Sequence, residues 1–228
     1  MIKDTAYSAS FCDPLEAKYH YAIANSEWLL SNSKPAIHHY LRAVKLNPTK
    51  GEYLQRLGVM LSERKDDEAA GTLLLSGIKY EVINPARYRQ YALWLFSKGR
   101  KQDGTEMMKK AILLEPEKTR DYITLMIINR LNDREIADAM PKRVKPYQLF
   151  ADYLAGTGNE KMAEDMDQFI KVSLAQRYNA VKDRLEEYRD AVEEMVELLY
   201  AKENITGDQV REIIEKFEIK HGIDTKLE

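Results

Sequence analysis

The sequence predicts an all-α fold: a solenoid of stacked helix pairs, followed by a long helix and a short closing one. Three observations predict it. A helix–turn–helix pattern recurs every 34 residues through the first half of the chain. Glycine and proline are sparse, 10 and 7 in 228 residues, and little of the sequence alternates as strands do. Near the C-terminus, apolar residues recur at alternating spacings of four and three, as in a heptad seam.

Residues 1–16 form an N-terminal segment, and helical periodicity begins near Asp13. The repeat is clearest in two runs that end in proline, Ala36–Pro48 and Gly104–Pro116. Both carry a small residue, a bulky residue four later, Ala three after that and Pro five further on. The prolines stand 68 residues apart, twice 34, and a third unit fits between them without a gap. Its first helix reads Leu54, Leu57, Gly58, Leu61, and its second carries Ala70, Leu74 and Gly77. Three contiguous units follow, 17–50, 51–84 and 85–118, together 17–118. Small residues at Ala24, Gly58 and Ala92, and at Ala36, Ala70 and Gly104, let paired helices approach closely, while proline ends the second helix. The first unit departs from the pattern at His20 and Glu27, and the second lacks its closing proline.

These units resemble the tetratricopeptide repeat (TPR), which implies a right-handed α-solenoid. The third matches best, with Tyr88, Tyr91, Ala92, Leu95, Gly104, Met108, Ala111 and Pro116 on the motif positions. After Pro116 the pattern loosens. Residues 119–172 read as an irregular insertion around 119–143, with a short helix starting at Asp133 and ended by Pro141, then a degenerate fourth repeat from Val144 to Val172. Two runs, Asn84–Leu95 and Leu114–Leu125, together with Asp13–Ala22, are similar in texture to the repeat-bearing tails of bacterial O-antigen ligase and polymerase-like membrane proteins. That resemblance implies a soluble appendage on a polysaccharide-assembly protein.

The last segment, 173–228, is acidic and heptad-patterned. Leu174, Tyr178, Val181, Leu185, Tyr188, Val192, Met195 and Leu199 form the seam, and no Gly or Pro interrupts the chain between Gly158 and Gly207. The sequence leaves open whether one helix runs continuously from 159 to 202. Thr206 with Gln209 makes a capping box, so a new helix starts near Gly207 with Val210, Ile213, Ile214 and Phe217 on its apolar face. The seam predicts either a helix pair folded back as a cap or a coiled-coil homodimer, with the first slightly favoured. The run Leu199–Ile214, preceded by Leu185 and Arg189, is similar to the C-terminal helices of FtsH-type AAA proteases over 178–217. That likeness brings neither ATPase nor protease chemistry, because the chain has no Gly-x-x-x-x-Gly-Lys-Ser/Thr and no His-Glu-x-x-His.

Composition excludes several function classes. The net charge is −2, but from Arg177 onward nine Lys/Arg face fourteen Asp/Glu, a net of −5, which leaves +3 for the residues before it. The signs are interspersed, so no nucleic-acid partner is expected. Cys12 is the single cysteine, so no intrachain disulfide or multi-cysteine zinc site can form. No apolar run approaches a membrane span and no signal-peptide pattern opens the chain, so no membrane insertion by this chain is expected. Leu227-Glu228 reads as a cloning scar of an excised domain. The location stays open between the cytoplasm and the soluble domain of a bacterial membrane protein.

No catalytic, metal or cofactor site is expected. His38 and His39 are adjacent, so their side chains diverge on a helix, and His20 falls on a packing position. What the repeat resemblance implies is a groove lined by the first helix of each pair. The positions that face it include Tyr21, Asn25, Trp28, Gln55 and Arg89, with Tyr21, Asn25 and Trp28 the most binding-like set. The Lys/Asn carboxylate clamp of chaperone-binding members is not matched, since Tyr21 and Val59 replace two of its residues. The expected function is a non-catalytic scaffold for a protein or peptide partner. The alternatives are an oligomerisation module acting through Tyr178, Val181, Leu185, Tyr188, Val192, Met195 and Leu199, or a regulatory fragment related to an AAA protease.

Overall fold

Five times along the chain a helix ends in the same backbone turn. The structure, a computed structural model, describes residues 2–222, with side chains from residue 5 onward; Leu227-Glu228 lie outside the described residues. At Ser31, Lys65, Gly99, Arg130 and Gly158 the backbone enters the left-handed region, with φ between 61° and 80°. In each turn the following N–H reaches back to the carbonyl five residues earlier: Asn32 to Glu27 (2.8 Å), Asp66 to Leu61 (3.0 Å), Arg100 to Leu95 (3.0 Å), Leu131 to Met126 (3.1 Å) and Asn159 to Leu154 (3.0 Å). This is the Schellman closure, which satisfies carbonyls that the helix end would otherwise leave open. Glycine fills the left-handed position in two of the five turns; Ser31, Lys65 and Arg130 hold it against the steric preference of L-residues.

The turns join five helix pairs. After α1 (Ile2–Cys12) come α2 (Ala17–Leu29) and α3 (Ser33–Leu46), α4 (Gly51–Glu63) and α5 (Asp67–Tyr80), and α6 (Pro85–Ser97) and α7 (Lys101–Leu114). A 3-10 turn at Pro116–Lys118 leads into α8 (Thr119–Ile128) and the short α9 (Asp133–Ala139), then α10 (Val144–Gly156) and α11 (Glu160–Glu187). The leading helices α2, α4, α6 and α8 start at 17, 51, 85 and 119, each 34 residues apart. The 34-residue register therefore continues through Thr119, inside the stretch where the sequence pattern loosens. The irregularity sits in α9, which has seven residues where α3, α5 and α7 have fourteen. The last pair regains regular spacing, with α11 starting sixteen residues after α10, as α3 does after α2.

Local signals explain the starts. Pro85 occupies the first turn of α6 behind Asn84, whose side chain accepts the Ala86 N–H. Asp66 accepts the Ala69 N–H at α5, and Asn132 and Glu135 form a reciprocal capping box at α9. The small residues do what their spacing predicts. Ala24, Ala36, Ala70 and Ala92 are fully buried. A Cβ on Gly58 would stand 3.0 Å from the Ala70 carbonyl oxygen, and one on Gly104 would strike the Phe96 ring. Gly51 and Gly77 cross so closely that a Cβ on Gly77 would lie 2.9 Å from the Gly51 oxygen. Between the pairs, Tyr40, Met60, Leu74, Leu95, Met108, Tyr122, Met126 and Phe150 fill the core.

The chain divides into two compact units, Met1–Asp167 and Gln168–Glu228, and the boundary falls within α11. In the second unit α11 gives way to α12 (Arg189–Lys202) at Tyr188, and α13 (Gly207–His221) follows behind the Thr206–Gln209 capping box. The interruption is slight: Tyr188 N–H still reaches Arg184 and Val192 N–H reaches Tyr188, both at 3.0 Å. Ala191, Ile213 and Phe217 form the buried centre of the α12–α13 hairpin, with Tyr188, Met195 and Leu198 packed around it. All regular structure among the described residues is helical, and no helix there is long and apolar enough to cross a membrane.

Candidate functional site

The leading helices α2, α4, α6, α8 and α10 present one side of the repeat array, and side chains tie them to each other at intervals close to the repeat length. Tyr21 on α2 donates its hydroxyl to Glu52 on α4 (2.7 Å) and stacks on Tyr53 at 4.6 Å between centroids. Burial first, then the Glu52 carboxylate, pushes the Tyr21 phenol up to about 12, so it acts as a fixed donor at neutral pH. Asn25 accepts the Tyr40 hydroxyl at 2.6 Å. Its carbonyl is therefore engaged inside the first pair, while the residue remains half-buried. Trp28 packs on the cluster of Ala24, Ala36, Tyr40, Leu57 and Met60, and the Arg56 guanidinium lies 5.5 Å above its ring.

Gln55 has a different role. It is 1% exposed, and its amide nitrogen donates to the carbonyls of Leu74 and Arg87, both at 2.9 Å. Its carbonyl accepts from Arg87 Nη1 at 3.2 Å. Every polar atom of this side chain is consumed in joining α4, α5 and α6, so Gln55 offers nothing to a partner. Arg87 continues the link to Glu81 (Nε to Oε2, 3.1 Å), and Glu81 also accepts from Gly51 N–H (2.9 Å) and Asn84 Nδ2 (2.8 Å). Burial raises the Glu81 carboxyl, but Arg87, Asn84, Lys50 and the Gly51 amide outweigh it and hold it below its ordinary value. Arg89 is half-buried on the same side and lends positive field to Glu115 and Tyr122.

Two features escape the sequence pattern. One is a cleft of about 280 Å³ lined by Arg120, Ile123, Thr124, Ile127, Asp152 and Tyr153, with Arg120 paired to Asp152 at 3.0 Å. Arg120, Ile123 and Ile127 occupy in α8 the positions that Lys18, Tyr21 and Asn25 occupy in α2. The signal that finds them is the unbroken 34-residue step to Thr119. The other is polar. Glu27, 3% exposed, accepts from Tyr7 on α1 (2.9 Å) and from Asn32 (2.7 Å). Beside it His20 and His39 stack, with their Nδ1 atoms 3.2 Å apart. His20 Nε2 lies 3.0 Å from the Pro14 carbonyl, which can only accept, so in a neutral His20 ring the proton is on Nε2, and its Nδ1 accepts from His39 Nδ1–H. His39 also meets Tyr7 edge-on at 5.7 Å. Burial, then His20 and His38, lower the His39 pKa, against an opposing pull from Glu27. The pair joins helices whose sequence spacing gives no sign of it.

In the second unit, the seam divides. Tyr188 and Met195 pack against α13, and the Tyr188 hydroxyl donates to Glu218 Oε1 at 2.8 Å. Tyr178, Val181 and Leu185 stay exposed, and Val192 and Leu199 are partly so. No group of three His, Cys, Asp or Glu side chains among the described residues could hold a metal ion.

No known family profile matches the chain. Over 69 residues it is 54% identical to the ATP-dependent zinc metalloprotease FtsH of Helicobacter felis and 49% identical to that of Helicobacter pylori strain 26695. That stretch is 30% of this chain and 11% of either relative. Over 123 residues it is 26% identical to the BBSome complex member BBS4 of Bos taurus, covering 52% of this chain and 24% of that one. The chain thus spans only a small part of the curated relatives it matches. Among solved structures it is similar to MamA (TM-score 0.44, 16% identity, 79% of this chain and 89% of that one). It is also similar to the C-terminal part of a TPR repeat-containing protein of Cytophaga hutchinsonii (TM-score 0.43, 13% identity, 98% and 91%). The helical-repeat assignment stands on the chain's own five turns and their register, and the fold is an all-α, TPR-like helical solenoid.

Proposed function

We propose that the chain is a non-catalytic scaffold that holds a protein or peptide partner on the leading-helix side of its repeats. The observation that carries this is the row of part-exposed apolar and cationic side chains on those helices: Trp28 under Arg56, then Val59, Leu93 and Arg89, then the cleft at Ile127 and Tyr153. Aromatic and arginine side chains give large contact area at low entropic cost. Of the residues singled out by sequence, Trp28 and Arg89 suit this role best, with Tyr21 and Asn25 behind them holding the surface in shape. A photo-crosslinking residue placed at Val59, Leu93 or Thr124 and exposed in the native cell should give adducts. The same residue at Gln102, Glu106 or Lys109 on α7 should give none. Equal labelling from both sets, or from α7 alone, would remove the assignment.

A second reading concerns the tail. The 54% identity over 69 residues with Helicobacter felis FtsH, and the Leu199–Ile214 run, support kinship with the C-terminal helices of such proteases and a regulatory role beside one. Co-expression with that FtsH followed by affinity purification tests it; no co-purification sinks it. The appendage of a polysaccharide-assembly protein is supported by the texture of Asn84–Leu95 and Leu114–Leu125 alone, and finding the gene outside any such locus would remove it. Homodimerisation through the seam is supported by its exposure and opposed by the charges that flank it.

A further inference from the structure

The exposed half of the seam has a charge pattern that selects its occupant. On α11, Leu174, Tyr178, Val181 and Leu185 recur at spacings of four, three and four, and are 49%, 70%, 59% and 58% exposed. Such an apolar stripe along one helix is uncovered by anything among the described residues. It is narrow, two positions in seven, which suits another helix rather than a broad surface. The positions on either side of it are Ala175, Arg177, Lys182 and Arg184, followed past Tyr188 by Arg189, so all but Ala175 are cationic. Three of these cations pair with acids on the same helices: Lys182 with Glu186 at 3.7 Å, Arg184 with Glu187 at 3.2 Å and Arg189 with Glu193 at 3.0 Å. Tyr178, Val181, Lys182, Leu185, Glu186 and Arg189 line one shallow depression, so the apolar groups and two of the cations form a single surface, with Glu186, paired to Lys182, the one acid among them.

In a coiled coil these flanking positions face their counterparts across the seam. A second copy of this chain would set Arg177 against Lys182 and Arg184 against Arg189 if parallel, and cation against cation again if antiparallel. Both arrangements are repulsive. An anionic bilayer is disfavoured by the acids that surround the stripe, Asp183, Glu186, Glu187 and Asp190, and by the narrowness of the stripe. We propose that α11 docks an amphipathic helix of another protein, with apolar residues at heptad spacing and Asp or Glu on both flanks of its stripe. This surface lies on the part of α11 that belongs to the second unit, and its argument uses no residue of the partner face described above.

The test uses the full chain and a fluorescein-labelled 28-residue synthetic helix with Leu at both seam positions and Glu at both flanking positions of every heptad, which cannot pair with itself at neutral pH. A matched peptide carries Lys in place of Glu. Anisotropy should rise with the Glu peptide and not with the Lys peptide. The affinity should fall about tenfold in Arg177→Glu/Arg184→Glu, about the weight of a few surface charge pairs. It should be lost in Leu185→Asp, whose circular dichroism should match wild type because Leu185 is exposed. Equal binding of both peptides, or binding of neither, overturns the proposal. So does a wild-type dimer in light scattering that Leu185→Asp dissolves, or capture of the chain by phosphatidylglycerol vesicles that Leu185→Asp abolishes. Because every variant lies in α11, failure here leaves the crosslinking test of the repeat face untouched.

Discussion

The repeat array and the C-terminal hairpin are both built from antiparallel helices, yet they bury their apolar residues to different degrees. A helix pair inside the array has a neighbour before it and after it, so both sides of its apolar set are covered: Leu57 and Met60 pack back on Ala24 and Tyr40, while Gln55 reaches forward to Arg87. The α12–α13 hairpin covers one side of its helices, centred on Ala191, Ile213 and Phe217, and leaves Val192 and Leu199 partly exposed, at 38% and 44%. Stacking doubles the use that each helix makes of its apolar residues. A lone hairpin keeps one stripe for something else.

The largest effect should come from making the same deletion in the stacked core and on the exposed stripe of α11. Leu74→Ala removes a fully buried side chain and should cost about 2–5 kcal/mol in urea unfolding of the array. Leu185→Ala, on the exposed stripe, should change the same measurement by no more than about 0.5 kcal/mol. A similar cost at both sites would mean that α11 is covered and would erase the contrast.

A smaller loss should follow Gln55→Leu, which is close in size but leaves the carbonyls of Leu74 and Arg87 without their shared donor. About 1–3 kcal/mol is expected, read as a shift of the urea midpoint at constant m-value. A neutral outcome would show that polar ties between pairs add little beyond apolar stacking.

Lys65→Gly should move stability the other way. Lys65 holds φ at 65° in a turn where the next repeat uses Gly99. Relief of that strain should raise the thermal midpoint by an amount equivalent to about 0.5–1 kcal/mol. The reciprocal Gly99→Ala should lower it, and a gain there would mean that the turn is not held by this backbone constraint.

The smallest effect is the pH dependence of the first pair, because His39 is only half-buried. Its pKa in the folded chain lies below the ordinary 6.5, so folding favours the neutral ring. The stability this contributes is fully present above pH 6.5 and is lost as pH falls from there through the lowered folded value. The groups around it are His20, His38, Glu27 and Tyr7. Between pH 7.5 and 5.0, His39→Phe should lose less stability than wild type by urea unfolding; an equal loss would exclude the histidine pair as the cause.

Much of the array was legible because its signals are local. Pro85, Asn84, Asp66 and the Thr206–Gln209 box mark helix starts by chemistry confined to one turn, and Ala24, Gly58, Ala92 and Gly104 mark close approach by size alone. The cleft at Ile127 was harder to see because α9 is half the usual length, which spoils the second half of the motif while leaving the first in register. Gln55 reads as a surface residue in any single repeat. Its burial depends on Arg87 in the next one.

The sequence by itself determined the helix pairs, their 34-residue step and the heptad spacing of the tail, because capping, chain reversal and apolar periodicity act over a few residues. Only the tertiary structure decided which polar side chains are spent inside, as at Gln55, Glu27 and His20–His39, and which part of the seam is covered. Those outcomes depend on which atoms from distant parts of the chain arrive within about 3 Å of each other, and hydrogen bonds and desolvation are set at that distance.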